Sequence, residues 1–215
     1  IINGIEYLGY FKDDSYHGEG TYKTAIGDYY EGDWKLGKKE GDGIYVSSIG
    51  DRYEGSLKND MKHDYGKYEF ADGDKDEGFW ENDKIIGKGK YEFANGGKCE
   101  GNFFNGKLNG DGLFHFSNGD KYKGAFKNGR REGFGVFTLT DGGKYSGEWK
   151  NDKISGQGKY EFSNGNTYEG MFDDGVMDGQ GSFSFNNGNL YIGEFKEGKR
   201  HGLGVFTYKN GNKYV

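Results

Sequence analysis

Histidine is the side chain best suited to metal binding and to acid–base chemistry near neutral pH, and the sequence contains four. Three of them, His17, His63 and His201, stand immediately before a Gly-x-Gly segment or its variant Asp-x-Gly. A histidine there is expected to lie in a turn and face solvent. Because zinc needs several ligands at once, and one chain supplies no close cluster, we expect no metal site within a chain. The alternative is a metal site shared between two chains through His201.

Carboxylates are abundant, since Asp and Glu total 35. General acid–base catalysis needs carboxylates in an enclosed pocket that shifts their pKa, and a chain of tight turns builds no such pocket. The Gly-x-Gly segments are expected within strands and not before a helix, so they do not form a phosphate-binding loop. We therefore expect no catalytic residues, no cofactor and no enzyme activity.

The composition excludes several other classes of protein. Glycine accounts for 43 of the 215 residues, proline is absent, and only 32% of the residues are hydrophobic. No stretch is apolar enough to cross a membrane, and the formal net charge of -6 gives no general attraction to nucleic acid. The single cysteine, Cys99, excludes an internal disulfide and favours a reducing, cytoplasmic location.

The chain is built from repeats. The triplet Tyr-x-Gly recurs at steps that are multiples of 23 residues, and positions three, fourteen and twenty-one of each repeat are always glycine. Residues 1–6 are predicted to end a preceding repeat, and residues 214–215 to begin a further strand. Nine repeats follow one another without insertion or deletion, with the bounds 7–29, 30–52, 53–75, 76–98, 99–121, 122–144, 145–167, 168–190 and 191–213.

Each repeat predicts two short antiparallel strands. Positions one, three and five share one face of the first strand, and positions twelve, fourteen, sixteen and eighteen share one face of the second. The Asn-Gly pair between repeats, as in Asn164-Gly165, predicts a tight turn in which both residues have positive φ. The predicted fold is all-β: an elongated, twisted, single-layer antiparallel meander. Its rings pack over glycines, which in repeat seven are Gly147, Gly156 and Gly158.

The pattern Tyr-x-Gly-x-Trp, followed by Gly-x-Gly and an aromatic residue, resembles the MORN repeat, and the resemblance covers residues 7–213. The family implies an elongated sheet with an aromatic groove. It also implies scaffold or adaptor roles, often cytoskeletal, membrane-associated and dependent on self-association. A chain made only of repeats is most similar to the repeat-only MORN proteins of the protist submembrane cytoskeleton. Direct phospholipid binding is an alternative role that the resemblance implies.

Charged side chains are expected to divide between the two edges of the sheet, with basic loops at positions nine and ten and acidic turns between repeats. A basic row could contact anionic phospholipid headgroups or an acidic partner, or it could be a solvated edge that resists aggregation. The basic edge comprises Lys38, Lys39, Lys62, Lys84, Lys107, Arg130, Arg131, Lys153, Lys199 and Arg200. The acidic edge comprises Asp28, Asp51, Asp72, Asp74, Asp120 and Asp141.

The last repeat is predicted to be apolar on the face opposite the rings, which we call the back face. An apolar patch on a terminal repeat suits self-association, although the same residues could merely reflect strand propensity. We predict a homodimer through the C-terminal repeats, to which the ring face also contributes. The predicted interface comprises Ile192, Phe195, Leu203, Val205, Phe206 and Tyr208.

Repeats three to five depart from the pattern. Leu57, Asp64, Asp76 and Cys99 replace an aromatic residue, a glycine and two tyrosines. These departures could be drift, a bend in the array or a notch for a partner. The carboxylate of Asp76 in the ring row is expected to weaken packing, because a buried charge costs several kcal/mol unless it is paired.

The function predicted from the sequence is a self-associating structural scaffold or adaptor that organises cytoskeletal assemblies beneath a membrane. Its expected partners are a second copy of the chain and other cytoskeletal or scaffold proteins, and not nucleic acid. The alternative is a protein that binds phosphoinositides or membrane surfaces through its basic edge.

Overall fold

The computed structural model describes residues 4–215, and no helix occurs in that range. No membrane-spanning helix is therefore present in the described part of the chain. The chain divides into two compact units, the first ending at Lys107 and the second running from Leu108 to Val215. Residues 1–3 of the segment predicted to end a preceding repeat lie outside the described residues. The predicted all-β fold with two strands per repeat is confirmed.

Within each unit, every strand pairs antiparallel with its neighbours in sequence, as expected where all connections are short. The first strands are β1 (Glu6–Lys12), β2 (Ser15–Lys23), β3 (Tyr29–Lys35), β4 (Lys38–Val46), β5 (Arg52–Lys58), β6 (Met61–Glu69), β7 (Lys75–Glu81), β8 (Lys84–Glu92) and β9 (Lys98–Phe104). The remaining strands are β10 (Lys107–His115), β11 (Lys121–Lys127), β12 (Arg130–Thr138), β13 (Lys144–Lys150), β14 (Lys153–Glu161), β15 (Thr167–Asp173), β16 (Val176–Ser184), β17 (Leu190–Lys196), β18 (Lys199–Thr207) and β19 (Lys213–Tyr214).

The two strands of a repeat are joined by a two-residue turn. In repeat seven the turn residues are Asn151 and Asp152, with φ angles of 48° and 69°. Two consecutive positive φ angles are typical of the type I′ turn, whose twist matches that of the flanking strands. Asn, Asp and Gly tolerate this conformation, and they fill most of these turns. Leu36 and Glu197 are exceptions, each with a φ of 50°.

The turn between repeats is longer than the sequence predicts. At the end of repeat seven, the Phe162 N–H donates to the Asn166 carbonyl and the Gly165 N–H donates to the Phe162 carbonyl, both at 2.9 Å. Only Gly165 of the Asn-Gly pair has a positive φ, at 85°. The prediction of positive φ at Asn164 is therefore wrong, because a longer hairpin loop needs the left-handed conformation only at its glycine.

The second strand of the repeat carries a bulge, as repeat seven shows. Gly147 on β13 pairs with Gly158 on β14. Two residues further along β13, Trp149 pairs with Ile154, so three residues of β14 oppose one residue of β13. Gly156 lies in this bulge with a φ of 67°, and bulges often need a left-handed glycine. A Cβ at Gly156 would meet a carboxylate and not a ring, so its predicted place beneath the rings is wrong.

The core of the regular repeat is a buried tyrosine over two glycines. Tyr145 has no exposed surface, and its hydroxyl donates to the Glu148 carbonyl at 3.0 Å. A Cβ on Gly147 would come within 2.5 Å of the Gly158 Cα, and one on Gly158 would come within 2.5 Å of the tyrosine ring. Only glycine fits both places. The same hydroxyl bond is made by Tyr7, Tyr30, Tyr53, Tyr122, Tyr168 and Tyr191.

Candidate functional site

The ring face of the second unit has a buried layer and a more exposed layer. Residues at positions one and five form the buried layer, as Tyr168 and Phe172 show with exposures of 0% and 5%. Residues at positions sixteen and eighteen are less buried, and consecutive ring centroids lie 4.5 to 5.7 Å apart. We call this second set the aromatic row. It comprises Tyr160, Phe162, Phe183, Phe185, Phe206 and Tyr208.

The aromatic row borders a shallow cavity of about 380 Å³ in repeats eight and nine. Its walls include Met177, Phe183 and Phe185, and its polar groups include the basic side chains of Lys199 and Arg200. Apolar walls with a few polar groups are typical of binding sites. The ring face of the C-terminal repeats is therefore a candidate interaction surface.

The predicted basic edge divides into two sets of side chains. Those at position ten lie over rings: Lys39 Nζ is 4.3 Å from the Tyr45 ring centroid, and Arg131 Cζ is 4.3 Å from the Trp149 ring centroid. Arg200 is placed in the same way. The ring face attracts a cation through its quadrupole, and burial lowers the pKa of Lys39. Lys62 Nζ likewise lies 4.3 Å from the Tyr68 ring centroid. These four residues therefore belong to the ring face and not to a free basic edge, which corrects the prediction.

The basic side chains at position nine are exposed, and carboxylates lie along the same edge. Lys153 Nζ is 2.5 Å from an Asp174 oxygen, and the Asp152 carboxylate accepts the Arg131 backbone N–H at 2.9 Å. The loop edge is thus a mixture of charges, which weakens its attraction for an anionic surface. The exposed basic set comprises Lys38, Lys84, Lys107, Arg130, Lys153 and Lys199.

The predicted acidic edge connects one repeat to the next. The Asp28 carboxylate accepts the Ser48 N–H at 2.8 Å, and the Asp120 carboxylate accepts the Thr140 N–H at 2.9 Å. Carboxylates that accept backbone N–H groups form strong, charge-assisted hydrogen bonds. These aspartates therefore have a structural role. Asp51 and Asp74 make the same contact, whereas Asp72 and Asp141 bond within their own turns.

The six residues of the predicted dimer interface lie on two faces. On the back face, Ile192 pairs with Val205 across β17 and β18. Ile192 is 54% exposed and Leu203 is 83% exposed. On the ring face, Phe195 is buried, Phe206 is half-buried and Tyr208 is 47% exposed. A single flat contact could therefore use one of these sets but not both.

Residues with the chemistry to bind metals are dispersed. No three His, Cys, Asp or Glu side chains in residues 4–215 are placed to hold a metal ion. His201 is exposed, and a metal site shared with a second chain stays a prediction. Cys99 is buried, and burial raises the pKa of its thiol to about 11. The thiolate, which is the reactive form, is therefore disfavoured.

Repeat four builds its core around a carboxylate. Asp76 takes the place of the tyrosine and is 8% exposed. Burial raises the pKa of its carboxyl to about 6, and Oδ1 has no hydrogen-bond partner in the described chain. The Cδ1 of Ile85 fills the space over the glycine pair Gly78 and Gly89. The sequence gives only a weak signal that Ile85 takes the place of the tyrosine ring. Ile154 also stands at position ten, in a repeat that keeps its tyrosine.

The comparison with protein families decides the identity of the repeat. The MORN repeat matches the segments 7–29, 30–52, 53–75, 77–98, 99–121, 122–144, 145–167, 168–190 and 191–213. The chain belongs to the MORN-repeat family. The fourth match begins one residue after Asp76, which departs from the tyrosine of the pattern. MORN-repeat proteins are generally structural scaffolds without enzymatic activity, and a structural or protein-interaction role fits this MORN array.

Two solved structures are similar to the MORN array to different degrees. The TCP10 domain of Danio rerio CPAP in complex with a peptide of Danio rerio STIL is 11% identical, with 98% of each chain covered and a TM-score of 0.51. The TCP10c domain of Drosophila melanogaster Sas-4 is 12% identical, with 97% of each chain covered and a TM-score of 0.31. At 11% identity the likeness to the Danio rerio domain is one of fold alone. None of the curated proteins compared with the array matches it.

Proposed function

We propose that this MORN array is a non-catalytic scaffold that self-associates through its C-terminal repeats. The observation that supports this most is the exposed apolar patch on the back face of repeat nine. Leu203 is 83% exposed beside Ile192, which is 54% exposed. Exposed apolar patches on a sheet commonly mark protein interfaces. A second copy of the chain offers an equally apolar surface, so a two-fold contact would cover both patches at once.

The self-associated array would space other proteins along its repeats and organise cytoskeletal assemblies at the cytoplasmic side of a membrane. Two observations support proteins as partners. The aromatic row leaves the ring of Tyr208 47% exposed and those of Phe162 and Phe185 half-buried, and aromatic side chains are enriched at protein interfaces. The TCP10 domain of Danio rerio CPAP, which shares the fold, is in complex with a peptide.

Sedimentation velocity over a range of concentrations tests self-association. The wild-type chain is expected to sediment as a dimer, and the variant Leu203→Asp/Val205→Asp as a monomer, because a buried unpaired charge opposes association. The matched control is Phe134→Asp/Val136→Asp, which places the same charges at the same positions of repeat six. The control should remain dimeric. A monomeric wild-type chain, or equal effects of both variants, would contradict the proposal.

The second candidate function is binding to phosphoinositides through the exposed position-nine side chains, which include Lys107 and Arg130. Such binding should be strong at low ionic strength and weaken as salt is added. Cosedimentation with phosphoinositide vesicles and with neutral vesicles tests it. Salt-sensitive binding by a monomer, abolished in Lys84→Glu/Lys107→Glu, would favour this function over the scaffold. No binding to either vesicle is expected from the scaffold proposal.

A further inference from the structure

The back face of the first two repeats contains a groove of about 570 Å³ that differs from the patch on repeat nine. It crosses four neighbouring strands, from Leu8 on β1 to Asp42 on β4. Two of its lining side chains are large, apolar and open to solvent: Leu8 is 78% exposed and Tyr10 is 72% exposed. An exposed pair of this size on a sheet face is a candidate contact surface.

The polar lining of this groove carries charge of one sign. Four carboxylates line it, and none of its lining residues is basic. Glu19 on β2 lies directly opposite Asp33 on β3 in the strand register. Like charges directly opposite one another destabilise a sheet, and neither carboxylate has an ion-pair partner in the described chain. The other two carboxylates are Glu31 and Asp42.

The second unit shows that this pairing is not a requirement of the repeat. At the corresponding positions, Gln157 faces Met171, and Gln180 faces Glu194. Asp111 faces Ala125, and Phe134 faces Glu148. Each of these pairs contains at most one carboxylate. The acidic pair of the first two repeats is therefore a local feature, and the protein bears its electrostatic cost only there.

We propose that this groove binds a basic, extended segment of a partner protein. The lysine or arginine side chains of the segment would neutralise the four carboxylates, and an apolar side chain between them would pack on Leu8 and Tyr10. Four strands spaced by about 4.8 Å span roughly 14 Å, which an extended segment of four or five residues covers. A single metal ion does not fit the groove, because no three carboxylates in the described chain are placed to share one.

This inference concerns a different surface from the proposed self-association, and either can fail alone. A second copy of the chain is a poorer occupant, because its formal net charge of -6 would oppose its approach to an acidic groove. Electrostatic complementarity would give the interaction its specificity and a rate of association that depends on salt.

Fluorescence anisotropy with two labelled probe peptides tests the proposal on the full chain. One probe alternates lysine and leucine, and the other alternates glutamate and leucine. We expect the basic probe to bind and the acidic probe not to bind. The variant Glu19→Gln/Asp33→Asn should weaken binding of the basic probe roughly tenfold, as should Leu8→Ser/Tyr10→Ser, because both parts of the surface contribute.

The matched control is Glu148→Gln/Glu194→Gln, which removes two back-face carboxylates at position four of repeats seven and nine. It should change binding of the basic probe by less than about twofold. Equal losses in the control and in Glu19→Gln/Asp33→Asn would overturn the proposal, because binding would then follow net charge alone. Equal binding of both probes would also overturn it. A change of oligomeric state in Glu19→Gln/Asp33→Asn would assign the groove to a second copy and overturn the proposed partner.

Loss of folding would not explain the expected result. Removing one like-charge pair should leave thermal stability unchanged or raise it. Circular dichroism of Glu19→Gln/Asp33→Asn should therefore show a melting temperature at or above that of the wild-type chain. A lower melting temperature would show that the two carboxylates serve the fold, which would contradict the argument for a partner.

Discussion

Repeats four and seven have the same two strands but different cores. In repeat seven, Tyr145 is fully buried and its hydroxyl donates to a backbone carbonyl. In repeat four, Asp76 takes the place of the tyrosine, and Ile85 reaches from the next strand to cover the glycines. Ile85 is 3% exposed. The comparison shows that the glycine pair and the turns define the repeat, whereas the group above the glycines can come from either strand.

The two cores differ in the free-energy cost of burying their polar groups. A tyrosine satisfies its only polar group with one hydrogen bond, so its ring is buried without an unpaired donor. The buried carboxyl of Asp76 has an oxygen without a hydrogen-bond partner in the described chain, and a buried unpaired polar group costs free energy. Repeat four should therefore be less stable locally than repeat seven, and stability in repeat arrays is a sum of such local contributions.

The largest expected effect comes from filling the space over the glycine pair. Gly158→Ala places a methyl group within 2.5 Å of the fixed ring of Tyr145, and we expect a loss of about 3 kcal/mol in the free energy of unfolding. Gly89→Ala meets the flexible end of Ile85 at 2.7 Å and should cost only about 1 kcal/mol. Urea denaturation, followed by the fluorescence of Trp149 or Trp80, measures each cost. Equal costs would show that the two cores are equally rigid.

The second effect is a pH dependence confined to repeat four. Because the folded-state pKa of Asp76 is raised from 3.8 to about 6, its contribution is absent at low pH and becomes destabilising as pH rises through this window. Asp76→Asn should therefore gain about 2 kcal/mol of stability above pH 7 and nearly nothing below pH 4. Urea denaturation across this pH range tests it. Asp173→Asn is the control for net charge, and a pH-independent gain at Asp76 would contradict the account.

A third, smaller effect tests the hydrogen bond that only the regular core contains. Tyr145→Phe keeps the ring but leaves the Glu148 carbonyl without its 3.0 Å hydroxyl donor. We expect a loss of about 1 kcal/mol in the free energy of unfolding. The aliphatic control is Ile85→Val in repeat four, which removes one buried methylene and should cost a similar amount through packing alone. A neutral Tyr145→Phe would mean that the ring, and not its hydroxyl, accounts for the regular core.

Effects no larger than this should come from the turns, which both repeats share. Asn82 and Asn151 have φ angles of 49° and 48°, so Asn82→Ala and Asn151→Ala should each lose about 1 kcal/mol. Leu36→Asn, at a φ of 50°, should instead gain up to about 1 kcal/mol. Thermal unfolding by circular dichroism measures these shifts. Unequal losses at the two asparagines would place part of the difference between the repeats in their turns.

The sequence predicts the period, the strands and the glycine pair because these features recur at fixed spacing. The sequence does not reveal the bulge. The bulge falls at Gly156, where a glycine is expected whether or not the strand is bulged. The sequence also does not show that Lys39 and Arg131 lie over rings, because a basic residue beside a turn usually faces solvent. The sequence places the carboxylate of Asp28 on the acidic edge, and its bond to the next repeat becomes visible only once the turns are placed.

The interaction surfaces are the part of the candidate site that is hardest to predict from the sequence. The alternation of side chains along a strand is enough to group Ile192, Leu203 and Val205. The structure places them on the back face. The groove at Leu8 and Tyr10 depends on strand register, which brings Glu19 opposite Asp33. Register follows from the bulge and the turns, so no pattern within a single repeat could identify this pair.

Hydrogen–deuterium exchange at two protein concentrations tests the central claim, self-association through the C-terminal repeats, most directly. Burial of the back-face patch at Leu203 in a dimer should slow local opening of β17 and β18. We predict that exchange in residues 190–207 slows as the concentration rises, while exchange in repeats three to five does not change. Exchange rates independent of concentration along the whole chain, or slowing confined to other repeats, would contradict the account.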